Sequence, residues 1–111
     1  MKNQKIIVSK YNDEWLIERL RDNPKEFETY IEHIAKEYDK DRDLDMLLDC
    51  LKIAIMAKRG AATQIAKTSK IDRSGIYKAL SNHSKPRIDT FQNILNGIGW
   101  DFKLSKVSAD K

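Results

Sequence analysis

Hydrogen-bond donors concentrate on one predicted helix face within the stretch ATQIAKTSKIDRSGIYKAL at residues 62 to 80. A helix that starts at Arg73, with Asp72 as its N-cap, would turn Ile76 and Leu80 inward. Its outer face would then carry donors, one aromatic ring and a glycine that obstructs nothing: Arg73, Ser74, Gly75, Tyr77 and Lys78. Guanidinium, hydroxyl and ammonium groups placed in this way can donate to base edges in the major groove of DNA.

The residues before this helix predict a second short helix packed against it. Ile65 and the small Ala66 would form its inner side, where two helices cross closely, and Ile71 would close the core between them. Gln64 and Lys67 would lie outside, within reach of phosphate oxygens. Two short helices with a tight turn, and donors at the start of the second, are typical of a helix-turn-helix that reads DNA.

A polar loop with the sequence SNHSKPR follows at residues 81 to 87. Lys85 and Arg87 are expected to hold the DNA backbone through its phosphates. We predict that His33 and His83 are solvated, because a lone histidine in polar surroundings rarely has a specific role.

The net charge of +4 is unevenly distributed along the chain. Residues 11 to 51 contain thirteen Asp and Glu against six Lys and Arg, whereas residues 58 to 88 contain one acid against eight bases. The basic part includes the predicted motif, which favours DNA as a partner. The acidic part is predicted to be either a solvated helix surface or a face for a basic protein.

Apolar spacing predicts further helices before the motif. A first helix should begin after Asn12 or Asp13 and end near Asp22, because Pro24 interrupts it and can start the next helix. The charged run at residues 39 to 43 should end that second helix, although one longer helix through the run is the alternative. The inner stripe of the second helix is expected to consist of Phe27, Tyr30, Ile31, Ile34, Ala35 and Tyr38.

A third helix should follow, with Leu44, Leu47, Leu48, Leu51 and Ile55 inside and its end near Gly60. The last predicted helix has Phe91, Ile94, Leu95 and Ile98 on its inner face, with Asp89 and Gln92 as a capping pair. After it, Trp100, Phe102 and Leu104 alternate with polar residues, which predicts a strand. That strand would need a partner, either residues 5 to 9 or its own copy in a second subunit.

With 111 residues, of which 41% are apolar, the chain is expected to form one domain. We predict a mainly α fold of five or six helices with a helix-turn-helix of the phage-repressor type and one or two short peripheral strands. A helical extension would span about 12 to 42, the DNA-binding core about 44 to 99 and the strand about 100 to 107. Hydrophobic surface near Phe91 to Leu104 is expected to join two copies, so that two recognition helices lie about one DNA turn apart.

Other classes of function find little support in the residues. The lone Cys50 lies among leucines and is predicted to be a buried thiol, the two histidines lack metal-ligand spacing, and no glycine-rich phosphate loop occurs. No apolar stretch approaches the roughly 20 residues of a membrane span, and the N-terminus lacks the apolar region of a secretory signal. We therefore expect a cytoplasmic protein that is not an enzyme and uses no metal or cofactor.

Several segments together resemble a known family. The residues NPKEF open an acidic helix, and a leucine-rich helix ends at Lys58-Arg59-Gly60. Residues 76 to 80 are followed by Lys85-Pro86-Arg87, then by Thr90-Phe91 and finally by Ile98-Gly99-Trp100. From Asn23 to Leu104 the chain resembles the helix-turn-helix antidote proteins of bacterial addiction modules, which are related to the Cro and phage-repressor class. Lys70 stands where the turn of that family usually has glycine, and Gly75 lies inside the recognition helix.

The resemblance implies an antitoxin that forms a homodimer on a palindromic operator, represses its own two-gene operon and silences a small basic toxin of the RelE-like class. The acidic residues 11 to 51 are a hypothetical toxin-facing surface on charge grounds. Two alternatives stay open: a stand-alone or prophage-type repressor without a toxin, and a protein-interaction module without DNA binding. A neighbouring gene for a small basic protein would favour the antitoxin, and loss of salt-dependent duplex binding would favour the interaction module.

Overall fold

The computed structural model describes residues 13–81 and 85–107 of the 111-residue chain. Within these ranges the backbone forms six helices: α1 (Asp13–Asp22), α2 (Pro24–Asp41), α3 (Leu44–Ala57), α4 (Ala61–Ser69), α5 (Arg73–Ala79) and α6 (Ile88–Gly97). The prediction of a mainly helical fold with five or six helices is thus confirmed. No helix in the described ranges is both long and apolar enough to cross a membrane.

Residues with special backbone roles separate the first three helices. Pro24 occupies the start of α2, as predicted. Arg42 ends α2 in the left-handed region, with a φ of 56°, and its N–H donates to the carbonyl of Tyr38. Asp43 then caps α3 by accepting a 3.1 Å hydrogen bond from the N–H of Met46. The predicted interruption between α2 and α3 is confirmed, and the alternative of one long helix is wrong.

The core is built around α3, which packs against α1, α2 and α4, while α4 also packs against α5 and α6. Its most deeply buried side chains are aliphatic: Leu48, Leu51, Ile55, Ile65, Ile76, Leu80, Ile94 and Ile98. Helices α4 and α6 approach each other closely, since a Cβ on Gly97 would come within 2.5 Å of Cγ1 of Ile65. The small residue at this crossing is therefore Gly97, whereas Ala66, which was predicted at the crossing of α4 with α5, is half-buried and packs against the core.

Two local predictions are wrong. Ala35 of α2 is exposed, because the buried stripe is narrow and follows Phe27, Tyr30, Ile31 and Ile34. The capping pair of Asp89 and Gln92 does not form, since α6 already begins at Ile88. Asp89 lies in the first turn instead, where its Oδ1 accepts a 2.9 Å hydrogen bond from the N–H of Thr90.

The strand predicted over residues 100 to 107 is absent from the described chain. Instead, the chain folds back on α6: the N–H of Trp100 donates to the carbonyl of Leu95 at 2.8 Å, and the Phe102 and Phe91 rings meet edge to face at 5.8 Å. A strand requires a neighbour for its backbone hydrogen bonds, and no described residue supplies one. The first suggested partner, residues 5 to 9, lies outside the described residues, and pairing with a second subunit stays a prediction.

Candidate nucleic-acid interface

The turn between α4 and α5 is closed by backbone geometry at two residues. Lys70 ends α4 in the left-handed region, with a φ of 58°, and its N–H donates to the carbonyl of Ala66. Asp72 begins α5, since its Oδ1 accepts hydrogen bonds from the N–H of Gly75 at 2.8 Å and from the hydroxyl of Ser74 at 3.2 Å. The prediction of a helix that starts at Arg73 with Asp72 as its N-cap is confirmed.

Hydrophobic anchors hold α5 against α4. Ile76 is fully buried, as is Ile65 on α4, and Leu80 is almost so. Since α5 is only seven residues long, these contacts rather than intrinsic helix propensity must hold it in place. Ile71 packs at the edge of the same core, as expected.

Most of the predicted donors lie on the exposed side of these two helices. Gln64 and Lys67 are exposed on α4, and Arg73, Ser74 and Lys78 are exposed on α5. Because α4 and α5 pack against each other, the structure brings a small polar and basic surface together around their turn.

Tyr77 and Gly75 are less accessible than the sequence suggested. Tyr77 is half-buried against the core, and desolvation raises the pKa of its hydroxyl, an effect that the charge of Arg73 opposes. A Cβ on Gly75 would lie 3.0 Å from Oδ1 of Asp72, so the glycine here makes room for the capping carboxylate. Tyr77 therefore lies between the outer face and the core, because it follows the buried Ile76 at the next position of the helix.

A groove of about 690 Å³ separates α1 from α5. Its walls come from α1, the end of α3, the start of α4 and α5: Glu14, Ile17, Glu18, Arg21, Ile55, Met56, Lys58, Arg59, Gly60, Ala62, Arg73 and Tyr77. Arg73 and Tyr77 thus share a groove with two carboxylates of α1. Sequence reasoning missed this neighbourhood, although the spacing of Glu14 and Glu18 by four residues places both on one helix face.

The two basic residues before α6 are engaged in ion pairs. Nζ of Lys85 lies 3.0 Å from Oδ1 of Asp45 at the start of α3, and Nε of Arg87 lies 3.3 Å from Oδ1 of Asp89. Both pairs are exposed, so each stabilises the fold little and phosphate oxygens can compete for the cations. His83 lies outside the described residues.

Comparison with known families decides what kind of protein carries this surface. A family model described as probable addiction module antidote protein matches residues 11–106. The chain belongs to this family. The comparisons with curated proteins and with solved structures found no match.

The match extends across all six helices of the antidote and most of its C-terminal segment. An antidote of an addiction module acts against a toxin, so family membership implies a toxin as partner. In the antidote, α1 and α2 carry most of the exposed carboxylates and the surface around α4 and α5 carries cations, and the two parts adjoin at the groove that Arg73 shares with Glu14 and Glu18.

The cysteine of the antidote lies inside the helical core. Cys50 is buried, as predicted, and this burial raises the pKa of its thiol. The backbone carbonyl of Cys50 accepts a 3.3 Å hydrogen bond from the hydroxyl of Tyr30, which links α3 to α2. Within the described ranges, no group of three or more His, Cys, Asp or Glu side chains is placed to hold a metal ion.

Proposed function

We propose that this antidote is a cytoplasmic antitoxin that represses its own operon by binding a palindromic operator as a homodimer. The observation that carries the proposal is the start of α5, where Asp72 caps the helix and leaves Arg73 and Ser74 exposed in its first turn. With α4 packed behind it, α5 would serve as the recognition helix of a helix-turn-helix of the phage-repressor type.

The exposed residues of α5 would read the operator. The guanidinium of Arg73 can donate to O6 and N7 of a guanine, while Ser74 and Lys78 can reach bases or phosphates. Gly75 would present only its backbone at this face, and its lack of a side chain leaves room for the Asp72 carboxylate that caps α5. Tyr77, which is half-buried, would contribute the edge of its ring or its hydroxyl from the side of the groove.

Phosphate contacts would come from both sides of α5. Gln64 and Lys67 can contact the DNA backbone from α4. Lys85 and Arg87 would exchange their carboxylate partners for phosphate oxygens, which carry a comparable charge and are present at high density along a duplex. These contacts would set affinity and salt dependence but not the choice of sequence.

The toxin would bind a different surface. A small basic toxin of the RelE-like class complements the exposed acidic residues of α1 and α2, of which Glu28 and Glu32 lie outside the groove that contains Arg73.

Fluorescence anisotropy with a duplex of the native promoter region and a scrambled duplex, each at two salt concentrations, tests the proposal. We expect tighter, salt-sensitive binding to the promoter. Arg73→Ala should lose about 1 to 3 kcal/mol on the promoter and little on the scrambled duplex. Arg42→Ala, which removes an exposed arginine from the end of α2, is the matched control and should bind like the wild type.

Equal losses on both duplexes for Arg73→Ala would contradict its base-reading role. Absence of any duplex binding would contradict repression as a whole and would favour a protein-interaction module instead. Promoter binding by a chain whose gene has no toxin gene beside it would favour a stand-alone or prophage-type repressor.

A further inference from the structure

Trp15 of α1 is exposed, and the packing of the helix does not depend on it. Its side chain is 57% exposed, the highest value among the large apolar side chains that the structure describes in α1, α2 and α3. Leu16 and Leu20 form the buried side of α1 instead. A single small apolar side chain at a surface is ordinary, but tryptophan is highly buried on average and presents a large, rigid apolar area when it is exposed. Trp15 therefore marks a place that a partner gains by covering.

Contacts at Arg19, one helical turn after Trp15, fix the surface around it. Nε of Arg19 donates to Oε1 of Glu26 on α2 at 2.6 Å, and its Nη2 donates to Oε2 at 3.2 Å. The carbonyl of Arg19 accepts a 2.7 Å hydrogen bond from Nδ2 of Asn23, at the connection to α2. Because Trp15 and Arg19 are four residues apart, they share a face of α1. A partner at Trp15 would thus meet a surface that is already ordered, which lowers the entropic cost of binding.

The same face carries negative charge that no described side chain compensates. Glu18 and Asp22 lie three and seven residues after Trp15, which places them beside it on the helix. Both are exposed, and neither forms a salt bridge with another described residue. The positive charge of Arg19 is already paired with Glu26. We call the four residues Trp15, Glu18, Arg19 and Asp22 the outer face of α1.

Charge decides which class of partner fits the outer face of α1. Glu18 and Asp22 would repel the phosphates of DNA. A second copy of the chain around a two-fold axis would place the same carboxylates against each other, since such an interface uses one patch twice. A basic protein with an apolar pocket would complement both the tryptophan and the carboxylates. The family of the chain implies a protein partner, its toxin.

We propose that the outer face of α1 is the surface at which the antidote binds its toxin, with Trp15 as the anchor in an apolar pocket of that toxin. Glu18 and Asp22 form the rim of the contact and attract cationic side chains. Tryptophan is enriched among the few residues that carry most of the energy of a protein interface, whereas charges at the rim mainly speed association. The inference rests on the toxin-binding part of the proposed function and narrows it to one helix face, and it does not require DNA binding.

The test measures association and dissociation rates by surface plasmon resonance, with the full chain and the purified product of the toxin gene paired with it. Trp15→Ala should raise the dissociation constant roughly thirtyfold or more, chiefly through faster dissociation. Ile88→Ala removes an apolar side chain that is 69% exposed on α6, so it is the matched control and should bind like the wild type. Glu18→Gln should instead slow association a few-fold and reduce its dependence on salt.

Fluorine NMR gives a second measurement, which uses the chain with its native contacts. The chain has two tryptophans, Trp15 and Trp100, so fluorotryptophan incorporated into the antidote alone gives two resonances, and Trp15→Phe identifies one of them. Unlabelled toxin should shift the Trp15 resonance and leave that of Trp100, which packs against the core, in place. The promoter duplex should not shift the Trp15 resonance.

Three results would each overturn the inference: a wild-type chain that does not bind the toxin, Trp15→Ala binding it as tightly as Ile88→Ala, or a Trp15 resonance that the toxin does not move. A loss of toxin affinity in Glu28→Gln but not in Glu18→Gln would place the toxin elsewhere on the acidic surface and would also overturn it. Failure of the proposed repressor is distinguishable, because it concerns promoter binding, in which Trp15→Ala should equal the wild type.

Discussion

Oδ1 of Asp72 lies 2.8 Å from the backbone nitrogen of Gly75, and this hydrogen bond joins the turn after α4 to the first turn of α5. The carboxylate satisfies a backbone N–H that has no partner inside the helix. It also lies beside the exposed Arg73, so one acidic residue both begins the proposed recognition helix and affects the charge of its surface.

Replacing Asp72 should separate these two effects. Asp72→Ala removes the cap and should lower the free energy of unfolding by about 0.5 to 2 kcal/mol in urea denaturation. Asp72→Asn keeps a side-chain oxygen that can accept from Gly75 and should lose much less. Both variants lack the negative charge, so both should bind scrambled DNA more tightly than the wild type does. If the two variants have the same free energy of unfolding, the capping role of Asp72 is contradicted.

The crossing of α4 and α6 should not tolerate a methyl group at Gly97. Gly97→Ala would place its Cβ about 2.5 Å from Cγ1 of Ile65, and we expect a loss of about 1 to 3 kcal/mol in the free energy of unfolding. Thr63→Ala at an exposed site of α4 is the control and should change stability by less than about 0.5 kcal/mol. A neutral Gly97→Ala in thermal or urea unfolding would show that the two helices can separate without cost.

Glycine at the turn should stabilise the fold. Lys70 has a φ of 58°, a conformation that costs side-chain-bearing residues roughly 1 kcal/mol, so Lys70→Gly should raise the free energy of unfolding by up to about that amount. Arg42→Gly makes the same change at a φ of 56°, but it also removes the Arg42 guanidinium that lies 5.2 Å from the centre of the Tyr38 ring. It should therefore gain less, and the reverse order in urea denaturation would contradict the backbone argument.

Lys85 and Asp45 provide a test of phosphate contacts. The pair is exposed, so Asp45→Asn should change the free energy of unfolding by less than about 1 kcal/mol. Because the variant frees Lys85 and removes a negative charge, it should bind promoter and scrambled duplexes a few-fold more tightly. Lys85→Ala should weaken both alike and flatten the salt dependence by about one unit of slope. A change confined to the promoter would contradict a backbone contact.

Burial of Cys50 should make stability depend on pH. The pKa of the thiol is raised in the folded state, so its stabilising contribution is full below the ordinary pKa and declines as pH rises above about 8.5, where the unfolded thiol ionises first. Burial raises the pKa of Tyr30 as well, which adds a decline of the same sign near pH 10. Urea denaturation between pH 7 and 10 should show this fall, and Cys50→Ala should lack its first part. A wild-type stability that is constant up to pH 9.5 would contradict the buried thiol.

Local features of the sequence predicted the helices well. The caps Asp43 and Asp72 and the break at Pro24 depend on atoms within one helical turn, so their effect can be read from neighbouring residues. The resemblance to antidotes likewise rests on stretches of local sequence, and the family match over residues 11–106 confirms it.

Packing between distant segments could not be predicted in this way. Lys85 meets a carboxylate 40 residues away, and the glycine needed at a close crossing is Gly97 because α6 happens to pack against Ile65. The prediction of a strand over residues 100 to 107 was wrong because alternation of apolar and polar residues shows only which side of a segment is apolar. It does not show that another segment lies alongside to accept and donate the backbone hydrogen bonds.

The sequence by itself therefore determined where most helices begin and end, which part of the chain is basic, and which donors occupy the start of α5. Only the tertiary structure decided that Tyr77 is half-buried and that Arg73 shares a groove with Glu14 and Glu18. The physical reason is one of range: caps and periodicity act within a few residues, whereas burial and pairing depend on which surfaces the packed helices bring together.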